Sequence, residues 1–503
     1  MLQVKNLKIT HKNDLKSLIN NLSISLNDAG KLAIIGEEGT GKSTLLKYLA
    51  DPSLIEDYCS FHGELISDFR GIAYIPQSMD HLQLEQHLSD YIYHDANIAY
   101  FDYNYFFQVA NQLNFDCDLL EKEHLHLKNL SGGERLKIQL MKALAYHPQL
   151  LLLDEPTADL DSLSLDWLES FIKSSPQTII FISHDQHFIQ KVATSILHLE
   201  LVRKRQLPQA RFYFGSYEDY LAKRQQKDQH QRMLAKKEHE ELQKREAKFK
   251  KIHDSVQSQL RQTKDSTAGR LLAKKMKAVK SYEKRLEKDL QLITQKPDTM
   301  DNMAIFFSDI SPLAKQKIIL DWENQKLDTG QTISLQIKGQ DKILIIGKNG
   351  LCKSRLMQKI HTELKAKTGL TVSYMPQHYE DQLDLNLTPL DFLGNHDTQK
   401  VKTYLASLDF TADEINHSCH QLSGGQKAKL FLAKMVLDKS NVLLLDEPSR
   451  HFSPTSQPIV RRLLSQFKGA IICISHDRLL IESDLFELYQ LKQDHLIKVS
   501  IDR

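Results

Sequence analysis

Two pairs of adjacent carboxylates stand where chemistry could be done. Asp154-Glu155 follows the run Leu150 to Leu153, and Asp446-Glu447 follows Leu443 to Leu445. A histidine comes 29 residues after each glutamate, at His184 and His476. Neighbouring acids at a strand end can divide labour: one carboxylate helps hold a hard divalent cation, while the other draws a proton from a water molecule. Ahead of each pair lies a Ser-Gly-Gly signature, Leu130-Ser131-Gly132-Gly133-Glu134 and Leu422-Ser423-Gly424-Gly425-Gln426. Ser131 to Ser423, Glu155 to Glu447 and His184 to His476 are all separated by 292 positions. An ungapped repeat of chemically loaded residues across some fifty positions marks a duplicated domain.

What those acids act on is indicated upstream. Leu32 to Ile35 is a short apolar strand running into Gly36-Glu37-Glu38-Gly39-Thr40-Gly41-Lys42-Ser43-Thr44. This is the GxxxxGK[ST] phosphate loop in its strand-to-helix setting. Its backbone N–H groups can close around phosphates, Lys42 can reach the β- and γ-phosphates, and the Ser43 hydroxyl can bind Mg²⁺. The second half carries Gly347-Lys348-Asn349-Gly350-Leu351-Cys352-Lys353-Ser354. Gln77 and Gln377 each follow a strand (Ile72 to Ile75; a run beginning at Thr371) between loop and signature. A lone glutamine there says nothing, but its recurrence assigns it to Mg²⁺ or the attacking water. The same logic gives His184 and His476 to the γ-phosphate. The expected metal seats are Ser43, Gln77 and Asp154 in one half, and Ser354, Gln377 and Asp446 in the other. Glu155 and Glu447 are the water-polarising groups.

Positioning these residues takes parallel sheets. The leucine runs do not alternate, as expected of strands buried on both faces, whose carboxyl edge is where open α/β sheets bind ligands. Residues 1–30 alternate instead and suit half-buried antiparallel strands. Residues 84–128 read as helices bearing aromatic side chains (Tyr91, Tyr93, Tyr100, Phe101, Tyr103, Tyr105, Phe106, Phe107), either a packed subdomain or a binding patch. No apolar run reaches the roughly 18–20 residues of a membrane span, and the first twenty residues lack a signal-peptide core. A cytoplasmic protein is expected. Five scattered cysteines with no CxxC pair indicate neither a zinc site nor a disulfide framework.

The net charge of +2 conceals a division. Residues 221–296 hold 22 Lys/Arg against 10 Asp/Glu, a local surplus of +12, and the rest of the chain is acidic. Leu242, Phe249 and Val256, then Leu272, Met276, Val279, Leu286, Leu290 and Ile293, recur at coiled-coil spacing. Two antiparallel helices are expected, with a tip around 257–269 near Gly269 and a first arm of roughly 55–65 Å. The expected domains are residues 1–212, a linker over 213–300, and 301–503. Only 27 residues follow His476, which predicts no sizeable C-terminal extension.

Taken together, two soluble signature-and-phosphate-loop cassettes split by a charged helical connector after Tyr213-x-Gly215-x-Tyr217-x-x-Tyr220 resemble the F subfamily of ATP-binding cassette proteins. The resemblance implies an α/β fold of two P-loop cassettes joined by a long antiparallel coiled-coil linker, with ATP and Mg²⁺ as substrate and cofactor. It implies a monomer whose cassettes pair head to tail. Ser131, Gly132 and Gly133 would then cap the nucleotide on Lys353 and Ser354, and Ser423, Gly424 and Gly425 the one on Lys42 and Ser43. Members of this kind act on the ribosome, so large-subunit rRNA and P-site tRNA are the implied partners, with Arg261, Lys264, Arg270, Lys274 and Lys275 as linker contacts to RNA. A basic arm poor in aromatics suits backbone and shape recognition over base stacking, although a solvated coiled coil would look similar. Only 52 residues separate Gln77 from Leu130. That leaves little room for the helical insertion of some housekeeping factors and resembles members that protect ribosomes from antibiotics. A housekeeping translation factor, the ATPase subunit of a drug exporter and a DNA-repair ATPase stay open as alternatives.

The halves differ. Cys352 replaces the glycine before Lys353, Arg355 stands where Thr44 does, and Thr157-Ala158-Asp159-Leu160-Asp161 becomes Ser449-Arg450-His451-Phe452-Ser453. A second site that binds nucleotide and turns it over slowly is expected.

Overall fold

The computed structural model describes residues 1–93, 100–122, 125–157, 160, 162–202, 207–262, 266–292, 310–327, 330–347, 351–394, 396–408, 410–493 and 495–499. Its first cassette is built on a six-stranded sheet in the order β5-β6-β7-β3-β8-β9. These are Ile72–Ile75, Leu150–Asp154, Thr178–Ile182, Lys31–Gly36, Ser195–Val202 and Leu207–Phe214. All neighbours pair in parallel except β8 and β9. Every residue of β3, β6 and β7 is buried, which is why those strands show no alternation. An antiparallel sheet in the order β2-β1-β4 (Ser17–Leu26, Leu2–His11, Cys59–Ser67) supplies the alternating strands. Leu2, Val4, Leu7 and Ile9 pack with Leu45, Leu46 and Leu49 of the phosphate-loop helix in one core.

The second cassette repeats the plan. Its sheet runs β13-β14-β15-β12-β16-β17, from Val372–Met375, Val442–Asp446, Ala470–Ile474, Lys342–Ile346, Glu487–Leu491 and Leu496–Val499. Strands β10 (Ile318–Lys326) and β11 (Thr332–Lys338) form a separate antiparallel pair. In both large sheets the acid-bearing strand lies beside the histidine-bearing one, Asp154 opposite Ile182 and Asp446 opposite Ile474. Among the described residues no helix is long and apolar enough to cross a membrane.

Contacts divide the chain into two units, Met1–Tyr217 with Met300–Arg503, and Glu218–Thr299. The helix Tyr217–Gln262 has 46 residues, about 69 Å at 1.5 Å per residue. It exceeds the sequence expectation because the polar stretch from Gln257 continues as helix to Gln262. Gly269 falls inside the returning helix, Ser266–Leu292, not at a turn. One glycine costs a helix only about 1 kcal/mol, and the Ala- and Leu-rich residues after it outweigh that. Leu242, Val256 and Val279 are buried within the pair, and the Phe249 and Tyr282 rings lie 6.1 Å apart. Ile293 and the 263–265 segment lie outside the described residues. In the region 84–128, helices span Leu88–Tyr93 and Tyr103–Gln112. Phe101 and Phe106 are buried there while Tyr100 and Phe107 are exposed, so packing absorbs only part of the aromatic set.

Candidate active site

Strand β3 ends at Gly36, and the chain turns through the phosphate loop into the helix Lys42–Ala50. Gly41 has φ 88°, in the left-handed region that glycine enters without strain. Gly39, at φ 74°, is likewise left-handed, and a Cβ there would meet only open space. Lys42 is buried, with its Nζ 3.0 Å from Gly36 O and 2.9 Å from Glu37 O. Burial pulls its pKa down, while Glu155, Glu38 and Asp154 pull it up. Thr40 Oγ1 donates to Glu37 O at 2.8 Å and braces the loop. The Ser43 hydroxyl donates to Asp154 Oδ1 at 3.2 Å, and the Tyr74 hydroxyl lies 3.5 Å from Oδ2. A hydroxyl and a carboxylate converging at a phosphate loop form an oxygen donor set of the kind Mg²⁺ selects. Gln77 is exposed, two residues past the end of β5.

Glu155 follows β6 with φ 52°, a left-handed conformation that is costly for a glutamate. Its amide donates to Ile182 O at 3.0 Å, locking the turn against β7. That turn points the carboxylate at the next strand's loop: Oε2 accepts from the His184 amide at 3.1 Å, and Oε1 lies 3.2 Å from His184 Nε2. Burial pushes the Glu155 carboxyl up to about 7 and the His184 imidazole down to about 3. The Glu155 carboxyl therefore titrates near neutral pH beside an uncharged ring, and its ionised form can accept a proton there.

The second site has the same plan with looser parts. Glu447 has φ 54°, accepts from the His476 amide at 3.3 Å, and is likewise pushed up to about 7 by burial. His476 Nε2 is 3.7 Å from Glu447 Oε1, and its side chain is 50% exposed against 24% for His184. Burial pushes the Asp446 carboxyl up while the Ser354 hydroxyl pulls it down, and its Oδ2 is buried with no hydrogen-bond partner among the described residues, which fits a cation seat. Lys353 Nζ donates to Gly347 O at 2.7 Å, and Gln377 is half-buried beyond β13. Gly350 lies outside the described residues, with Lys348 and Asn349. Cys352 occupies the left-handed region at φ 57°, where a side chain costs roughly 1–2 kcal/mol. In a chain whose first loop is disabled by Lys42→Ala, Cys352→Gly should tighten binding of a fluorescent ATP analogue by about two- to tenfold. Unchanged affinity would show that the loop tolerates the Cβ.

Both signatures open a helix, Gly132–Leu144 and Gly424–Leu437. Each is capped reciprocally, Ser131 by Glu134 and Ser423 by Gln426. The structure brings the second signature to the first phosphate loop. The Gly425 amide donates to Glu38 Oε2 at 3.2 Å, and a Cβ on Gly424 would sit 2.8 Å from that oxygen and 2.7 Å from His451 Nδ1. His451 and these amides hold the Glu38 carboxyl down at about 2. Glu37 Oε1 also lies 4.0 Å from Lys429 Nζ on the same helix. Sequence reasoning passed over Glu38 and His451. The available signal was Glu38 standing where the second loop has Asn349.

Other contacts across the cassettes were equally hidden. Arg478 donates to Glu169 Oε1 at 2.8 Å and lies 3.5 Å from Asp166; Arg461, held within its own cassette by Asp477 at 2.8 Å, donates across to Gln186 Oε1. In the linker unit Arg261, Arg270, Lys274 and Lys275 are exposed, and Lys264 lies outside the described residues.

The family model described as ABC transporter matches residues 19–158 and 330–450, just over half of the chain. The chain belongs to the ATP-binding cassette family. Its relatives include a sub-family F protein. It is 29% identical to the ribosome protection protein VmlR of Bacillus subtilis, over 93% of this chain and 82% of that one. It is also 29% identical to a probable ATP-binding cassette sub-family F member 3 homolog of Encephalitozoon cuniculi, covering 94% and 78%. The probable ATP-binding protein YheS of Escherichia coli strain K12 is 27% identical over 94% of this chain and 76% of its own length. The fold is shared with the archaeal ribosome recycling factor aABCE1, solved with stalk protein aP1. The TM-score is 0.58 at 15% identity, over 98% of this chain and 89% of that chain. As an ATP-binding cassette protein, this one is an ATP hydrolase working on ATP with Mg²⁺.

Proposed function

We propose that this cassette ATPase binds the ribosome in its ATP-bound, closed form and protects translation from antibiotics at the large-subunit catalytic centre. The observation that carries the reading is the basic helical pair between the cassettes. Its +12 surplus suits an RNA backbone, whose phosphates release counterions when neutralised. The exposed Arg261, Arg270, Lys274 and Lys275 are the groups offered to rRNA. The likeness to a ribosome protection protein supports the same assignment.

At the first site, Lys42 and the loop amides bind the phosphates, and Ser43, Asp154 and Gln77 hold Mg²⁺. The cation neutralises charge on the β- and γ-phosphate oxygens when bound. Glu155 takes the proton of the attacking water, and His184 steadies that water and the γ-phosphate. Ser423, Gly424 and Gly425 close the site from the opposite cassette. At the second site Lys353, Ser354, Asp446 and Gln377 bind, with Glu447 and His476 acting more slowly. Ser131, Gly132 and Gly133 are its closing signature.

A Glu155→Gln/Glu447→Gln chain, which binds ATP and cannot release itself by hydrolysis, should sediment with 70S ribosomes in ATP and stay soluble in ADP. Reversing Lys274 and Lys275 to glutamate should weaken that co-sedimentation several-fold and leave basal ATPase intact. A double variant that ignores ribosomes in ATP would defeat the proposal.

A further inference from the structure

The helix Gln457–Gln466 of the second cassette starts with a buried glutamine. Gln457 Nε2 lies 2.8 Å from His184 O, 3.4 Å from Ser449 O and 3.4 Å from Phe452 O. Three carbonyls surround it, so only an N–H donor satisfies the position. Two of them belong to the segment following Glu447, and the third belongs to the histidine of the opposite cassette. One amide thus ties the His184 peptide to the partner domain. One helical turn on, at the same face, Arg461 donates to Gln186 Oε1, two residues beyond His184.

The repeat makes this arrangement one-sided. At the 292-residue offset Gln457 corresponds to Leu165, whose side chain has no N–H, and Arg461 corresponds to Glu169. The two histidines differ accordingly: His184 is the less exposed and sits closer to its glutamate. We infer that Gln457 is a positioning residue for the first site, fixing from the opposite cassette the backbone that aims His184 at Glu155. Closure of the cassettes then completes the first histidine loop by a bond that the second loop cannot copy. This rests on the reading of His184 as a group working on the γ-phosphate and its water.

The test is steady-state ATPase of the full chain. Gln457→Met keeps the volume and removes the donor. Gln457→Glu keeps the shape and presents a carboxylate where an N–H is required. Each should lower kcat about tenfold at unchanged KM. Combined with His184→Ala, Gln457→Met should add nothing to the loss from His184→Ala alone. If the two losses multiply, if Gln457→Met matches the parent, or if Gln457→Glu retains full kcat, the inference is overturned. The uncharged Met variant keeps the test valid should a buried carboxylate disturb folding. A His184→Ala chain with full activity would instead sink the reading beneath it.

Discussion

Glu155→Gln is expected to lower single-turnover ATP hydrolysis by about 10²–10⁴-fold, the span that a positioned general base contributes. The matching change at Glu447 should cost less than about tenfold. Both carboxyls are raised to about 7 by burial, so basicity alone does not separate them. The surroundings do. At the first site the imidazole is 3.2 Å away and three-quarters buried; at the second it is 3.7 Å away and half in solvent. The loop before Lys353 is strained at Cys352, and Ser453 bonds Thr455 and Ser456 within its own cassette, where the first copy has Asp161. Phosphate release from one round of bound ATP separates the two contributions. Equal losses from the two changes would remove the asymmetry.

Arg478→Glu is the second large effect. Its guanidinium is 18% exposed and meets a Glu169 side chain only 6% exposed. Removing one member of a buried pair typically costs about 3–5 kcal/mol, because the other charge stays desolvated and alone. Lys191, 2.9 Å from Glu169, offsets part of that cost, but a glutamate at 478 would also face Asp166. On the proposed closure of each site by the opposite signature, ATPase should therefore collapse at both sites. Arg478→Gln should fall between the two. The loss should persist in added salt, because the pair is shielded from screening. Parent-level activity in Arg478→Glu would mean that cassette pairing does not depend on this contact.

Much of the fold was legible because its chemistry fixes residue type and spacing together. A strand buried on both faces must read as a run such as Leu150 to Leu153, and a phosphate loop must place Lys42 and Ser43 after left-handed Gly41. The helical pair was legible as a pattern. Its extent was not, since charged residues tolerate helix and the propensity of Gly269 yields to its neighbours. Within the candidate site, sequence located the loops, acids and histidines, yet gave no access to Glu38 against Gly425, Gln457 against His184 or Arg478 against Glu169. These partners are 387, 273 and 309 positions apart. No local period links them, and only docking of two folded sheets brings them together.

The Arg461–Gln186 and Glu169–Arg478 contacts are mates under the pseudo-twofold that relates the halves. Two copies of the second half, set face to face, would align Arg461 with Arg478 and repel. Two copies of the first would offer Glu169 only a neutral Gln186. Unlike halves thus recognise each other by sign, so a first cassette is matched to a second and mismatched to its own kind.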